Sequence, residues 1–454
     1  MGAVLPLDRK SDLASRRRYP IFVLPLGALL LAGCGSSYRP VVSSINPVGP
    51  AGQPQKFIVA ISSTGATTPG LVNFIDFAGD TVLDTAALGT APYYLALSTS
   101  GGEGFTLNGD GTVNSFAISQ SLIQSQVNET TLPIGSLPTS IVSQGANIYI
   151  SQTGLGQTAQ FTGIPPQIKQ ELPTGQGTVY TVAVVSAPRA YAVVQGSSTV
   201  APHVSAIETV TNTVSNSITV GANPVYGVMT PDARRAFIMN KDSNTVTVIN
   251  AQSNALDTFS THTGGTIPVG IAPVWADFNP LSNQLLVLNQ GDATHPGSVT
   301  VISIPLCTAT TVTSNPNCDV LNPVDSTLFG TVVATIPVGI NPAVLAVIQD
   351  GTQAFVVNQG NAATGIEGSV SIINLTTDAV IATIPAASSG LNTADSVVHG
   401  HPSFVAVTSG LPTGKAYITS SDSQDMTVIK TDTDTVATHI NLQGMGRQVR
   451  VNLP

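Results

Sequence analysis

The sequence predicts an all-β fold, a β-propeller of four-stranded antiparallel blades, on three observations. A Gly-x-x-Pro turn or a near copy recurs seven times, each recurrence opens a set of short β-prone runs, and charged residues make up only 9% of the chain. The turns start at Gly89, Gly135, Gly221, Gly270 and Gly339. Two copies are degenerate: Gly175 is followed by Thr178 in place of proline, and His399 stands where glycine is expected before Pro402. The starts lie 46, 40, 46, 49, 69 and 60 residues apart, the period of a propeller or solenoid of small β units. Charge this sparse leaves little to cover long surface helices, and no long segment carries a 3.6-residue apolar period.

Residues 1–33 read as a signal peptide. Arg9, Lys10 and Arg16 to Arg18 form a basic head, and residues 21–31 are an apolar run of 11, too short for a spanning helix. The run ends in Leu31-Ala32-Gly33-Cys34, which resembles the lipobox of bacterial lipoproteins. The resemblance implies cleavage before Cys34, acylation of that cysteine and a lipidated linker over residues 34–55. Several acyl chains are what stable anchoring requires. The alternative is an ordinary signal peptide with a chance cysteine. Ser15 to Tyr19 resembles a twin-arginine motif interrupted by Pro20, so the general secretory route is the expected one. Gly35 follows the cysteine where Asp would imply inner-membrane retention. The implied address is the cell envelope, at the outer membrane.

The fourth repeat shows how a blade is composed. Residues 225–229 are apolar, 236–240 follow a Thr-Pro-Asp turn, 245–250 alternate, and 255–260 complete the set; each run has strand length and turn-forming flanks. The sixth repeats the order at 343–347, 354–358, 369–374 and 379–385. Second strands read aromatic, apolar, apolar or Thr, then Asn or Ser: Phe105 to Asn108, Tyr149 to Ser151, Phe237 to Asn240, Phe355 to Asn358 and Tyr417 to Ser420. With the following Thr-Val-Thr-Val-Ile-Asn strand at 245–250, this resembles the YVTN family of β-propeller repeats across nearly all of residues 56–454. The resemblance implies the fold and is silent on a reaction. Glycine is expected to supply a φ > 0 turn between blades, the aromatic to fill the space between blades, and Asn or Ser to bond local backbone. Strands at 56–62, 71–77 and 81–85 plus one lone strand at 448–453 make an eighth blade, closing the ring and removing its edges. Seven blades remain the alternative.

Without the signal, 11 basic residues face 23 acidic ones, a net charge of about −12. No basic stripe remains, which excludes nucleic acid as a partner. Cys307 and Cys318 are expected to form a disulfide, a metal site being the alternative. Closing a loop of about 12 residues would add up to ~3 kcal/mol in the chain-entropy model.

Three enlarged connections mark a candidate ligand-binding rim over the fifth to seventh blades. They are 289–297 with Asp292 and His295, 358–368 with Glu367, and 386–401 with Asp395, His399 and His401. The alternate histidines beside Asp395 also form a candidate metal site, and no cofactor is expected. The inner strands, read at 94–97, 182–185, 225–229, 345–348 and 404–407, supply no carboxylate, His or Lys, so no acid–base machinery is expected in the channel. The expected function is a membrane-anchored, non-catalytic binding or scaffold module of the bacterial envelope, its partner a protein or glycan. The alternative is a lactonase-like or metal-assisted envelope enzyme.

Overall fold

Each repeat turn feeds the chain into the innermost strand of a blade, and the next three strands step outward. A computed structural model of the protein describes residues 57–452 apart from 119–126, 163–164, 186, 260–261, 263, 280, 293–294, 306–327, 388–394 and 409–413. The segments expected to be a signal peptide (1–33) and a lipidated linker (34–55), with Cys34, and the expected Cys307–Cys318 pair lie outside the described residues. Inner strands Pro92–Leu97, Pro138–Gln144, Thr178–Val182, Pro224–Met229, Pro273–Asn279, Pro342–Val347 and Pro402–Val407 open blades 1 to 7. The eighth blade is shared by the two ends of the chain. Its inner strand is Met445–Asn452, which pairs antiparallel with Phe57–Ser63, and Pro69–Asp76 and Thr81–Thr90 complete it. The protein is therefore an eight-bladed β-propeller.

Second strands such as Arg235–Asn240 are buried along their whole length, because both faces of a blade pack on neighbouring blades. This explains why they read as continuous apolar runs rather than alternating ones. Outer strands such as Gln167–Leu172 have half of their residues exposed. Buried apolar clusters occupy all eight blade-to-blade interfaces. Phe74 and Phe116, for example, meet edge to face at 5.7 Å between blades 8 and 1. The expected aromatic role holds, with an addition. Tyr149, Tyr191 and Tyr417 reach across the interface to donate their hydroxyls to Asn212, Asn254 and Asp80 of the next blade, at 2.8, 3.2 and 3.0 Å.

Two expectations about the repeat turn need correction. The left-handed residue is the one directly before the proline position, at Ala91, Leu137, Asn223, Ala272 and Asn341, while Gly89, Gly221, Gly270 and Gly339 have no positive φ. These glycines are required by space. A Cβ on Gly339 would lie 2.6 Å from Cγ of Asn358, and Gly89, Gly221 and Gly270 abut Asn108, Asn240 and Asn289 in the same way. The asparagine in turn bonds side-chain hydroxyls of the third strand more than local backbone: Asn358 Nδ2 donates to Ser369 and Ser371 at 3.1 and 2.9 Å, and Asn240 Nδ2 to Thr245 and Thr247 at 3.1 and 2.9 Å. In blade 7 the second strand ends in Ser420, and there His399 takes the glycine position. Its N–H donates to Thr427 Oγ1 at 3.3 Å as that of Gly270 does to Thr300 Oγ1.

The outer strand of blade 4 also departs from expectation. It is split into Ala255–Leu256 and Thr266–Pro268, both paired with Thr245–Asn250. Asp257 turns inward instead of continuing the strand, forming a buried ion pair with Arg235 at 2.5 Å.

Candidate functional site

Two concave surfaces of the propeller are built from different parts of the repeat and gather residues from several blades. The first is a rim cleft of about 1100 Å³ over blades 5, 6 and 7. Blade 5 contributes Asp292 and His295, whose Nδ1 lies 2.9 Å from the Asp292 carboxylate. Blade 6 contributes Asn361, which caps the short turn Ala362–Thr364. Blade 7 contributes His401, held by Asp422 at both its N–H (2.6 Å) and its Nδ1 (2.7 Å). Gly400 permits this approach, because its φ is 77° and a Cβ would meet Asp422 at 2.5 Å. Amides form the floor: Lys241 Nζ donates to Gln290, Gln290 to Asn341 and Asn341 to Gln359, at 2.9, 2.7 and 3.2 Å.

Of the six residues the sequence marks for the rim, Asp292, His295 and His401 therefore converge. Three others do not. Glu367 is exposed on the blade 6 connection and does not line the cleft. Asp395 lines a separate cavity of about 430 Å³ with Asp434. His399 faces away from His401: its Nδ1 lies 3.0 Å from Asp425, and its ring stacks on His439 at 3.7 Å. Burial, reinforced by the His399 ring, holds the His439 pKa below its ordinary value. Among the described residues no group of three or more His, Cys, Asp or Glu side chains is placed to hold a metal ion. His399 and His401 thus serve different carboxylates rather than a common ligand site.

The second surface is the central channel, a cavity of about 470 Å³ reached by all eight inner strands. In blades 1 to 7 the strand register slips by one residue right after its first position. Such a bulge re-aims the side chain that follows. In six of these seven blades the residue two places on lines the channel, as Tyr94, Tyr180, Tyr226, Trp275, Val344 and Phe404. Tyr226 stacks on Trp275 with centroids 4.2 Å apart, Tyr180 meets Tyr226 at 4.7 Å with the rings tilted by 46°, and Phe404 meets Trp275 edge-on at 5.9 Å.

Four places on, the repeats carry Ala96, Val142, Val182, Val228, Ala346 and Ala406, but blade 5 carries Asp277. Register aligns Arg450 of blade 8 with this level, since it pairs with Val59 as Val228 pairs with Phe237. The channel therefore holds an acid and a base, correcting the expectation that no carboxylate lies there. Burial pushes the Asp277 pKa up to about 6, partly offset by the N–H groups of Phe278 and Val347, which donate to its two oxygens at 2.8 and 2.9 Å. Burial likewise lowers the pKa of Arg450, whose guanidinium lies 4.2 Å above the Phe404 ring. Asp277 lies on the fifth inner strand, Pro273–Asn279, which is not among the inner strands read from the sequence. The readable signal was a carboxylate at a position where the other repeats have Ala or Val.

No protein-family model and no curated protein matches the chain. Solved structures do. Apo AztD from Citrobacter koseri has a TM-score of 0.59 at 13% identity, covering 87% of this chain and 97% of that one. Dihydro-heme d1 dehydrogenase NirN has a TM-score of 0.57 at 12% identity, covering 89% and 77%. A candidate 6-phosphogluconolactonase of Bacteroides fragilis has a TM-score of 0.51 at 12% identity, covering 89% and 99%. Likeness at such identity establishes the propeller fold and assigns no activity.

Proposed function

We propose that this chain is an exported, lipid-anchored propeller that binds an envelope glycan at its rim and performs no reaction there. The observation that carries this reading is the convergence of Asp292, His295, His401 and a floor of Gln and Asn amides from three blades on one cleft of about 1100 Å³. Paired carboxylates and amides suit a hydroxyl-rich ligand, since they offer many donors and acceptors. The lipobox supplies the anchor. Titrating the full-length protein in non-ionic detergent with envelope polysaccharide fragments should give saturable binding. A Asp292→Ala, His401→Ala double change should weaken it at least tenfold, about 1.4 kcal/mol, while the thermal midpoint changes little. Equal binding by the double variant rules the rim out. A Cys34→Ser change should move the protein from the membrane to the soluble fraction, and retention at the membrane would refute the anchor.

One observation favours the alternative of a lactonase-like enzyme: burial in the channel raises the Asp277 pKa to about 6. Against it, both Asp277 oxygens already accept main-chain N–H groups, and no His, Lys or second carboxylate is among the channel-lining residues. General acid–base work needs a partner within hydrogen-bond reach of the same substrate atoms. Lactone hydrolysis lost in Asp277→Asn would reverse the order of the two readings.

A further inference from the structure

We propose that the central channel is a second binding site, for a small organic carboxylate with an apolar body, with Arg450 as its anchor. This is independent of the rim reading, because no residue is shared between the two cavities. Among the described residues Arg450 is the only basic side chain lining the channel and no carboxylate pairs with it. Among them its guanidinium donates to the Val449 carbonyl at 3.2 Å and to Gln448 Oε1 at 3.4 Å. Phe404 covers one face. Arg450 is half-buried and makes no ion pair among the described residues, and its planar fork matches a carboxylate in bidentate geometry.

The tyrosines strengthen the match. Tyr94, Tyr180 and Tyr226 line the same channel and interact electrostatically with Arg450. Among the described residues none of the three donates to a backbone carbonyl or a carboxylate. Their O–H groups are donors that suit a carboxylate oxygen held at the guanidinium. The remaining lining is largely apolar, with Ala96, Ile141, Val228 and Val344 among its members. At about 470 Å³ the cavity falls within the range of small-molecule sites. One positive charge suits a monoanion better than a phosphate dianion. Asp277 stands at the same level and disfavours a second negative charge.

The chain's one tryptophan, Trp275, lies in the channel wall and reports on occupancy. Phenylacetate, phenylacetamide and phenyl phosphate would each be titrated into the full-length protein in non-ionic detergent, following Trp275 emission and heat. Phenylacetate should change the emission and bind at least tenfold more tightly than its neutral amide, with phenyl phosphate no tighter than phenylacetate. Arg450→Gln should reduce phenylacetate to the level of the amide. Arg450→Lys, which keeps the charge and loses the fork, should fall between the two. Equal affinity of phenylacetate and phenylacetamide in the unaltered protein overturns the proposal, and this comparison needs no variant to fold. Tighter binding of phenyl phosphate would overturn the carboxylate assignment.

Discussion

Burial acts on Asp277 and His439 in opposite directions. The folded pKa of Asp277 is raised, from 3.8 to about 6. The stability tied to its protonated form is therefore fully present below about pH 4 and is lost as the pH rises through about 6. His439 has a lowered pKa. Its contribution is present above 6.5 and is lost as the pH falls through its folded value. Comparing the wild type with Asp277→Asn isolates the first effect. The stability of the wild type relative to that variant should fall by about 1–3 kcal/mol between pH 4 and pH 7, the lower figure allowing for channel water. Urea midpoints at the two pH values measure this. A difference that does not vary with pH would mean that Asp277 ionises as freely in the channel as in water.

At the scale of the element, glycine and asparagine form a matched pair. Blades 1, 4, 5 and 6 have both, with the Asn side chain pressed onto the glycine. Blade 7 has neither, and blades 2 and 3, whose second strands end in Gln152 and Val194, place their glycines at positive φ instead. Gly339→Ala should cost about 1–3 kcal/mol, the usual penalty for overpacking a tight site. Adding Asn358→Ser, the residue type blade 7 has at Ser420, should recover part of that loss. A double-mutant cycle in urea measures the coupling, and strictly additive costs would show that the two residues do not share one space. Both motif positions were legible in the sequence. Their physical link was not, because it depends on a contact between the turn before one strand and the end of the next.

For the whole molecule, stability rests on closure. Met445–Asn452 covers the inner edge of Phe57–Ser63, and Gln448 accepts the Leu95 N–H of blade 1 at 2.9 Å. Tyr417 and Lys415 tie blade 7 to Asp80 of blade 8. Deleting residues 445–452 should expose an unpaired strand edge and apolar faces of blades 7 and 1, giving aggregates rather than a monomer on size exclusion. A monomeric, fully folded deletion variant would show that the ring holds without its last strand. The rim was half legible. Connection length flagged it, but the partition of His399 and His401 between Asp425 and Asp422 depends on where the turn between the second and third strands of blade 7 places those carboxylates.

The sequence by itself determined the repeat, the four strands within it and the pairing of the two chain ends, because these follow from local turn chemistry and from runs whose burial pattern is the same in every blade. Tertiary structure alone decided what faces the channel and what meets at the rim. Asp277 and Arg450 lie on one level only because eight inner strands are brought into register around one axis, and Asp292 reaches the same cleft as His401 only because blades 5 to 7 are adjacent. Each repeat states its own fold; a site shared among repeats exists only once the ring has closed.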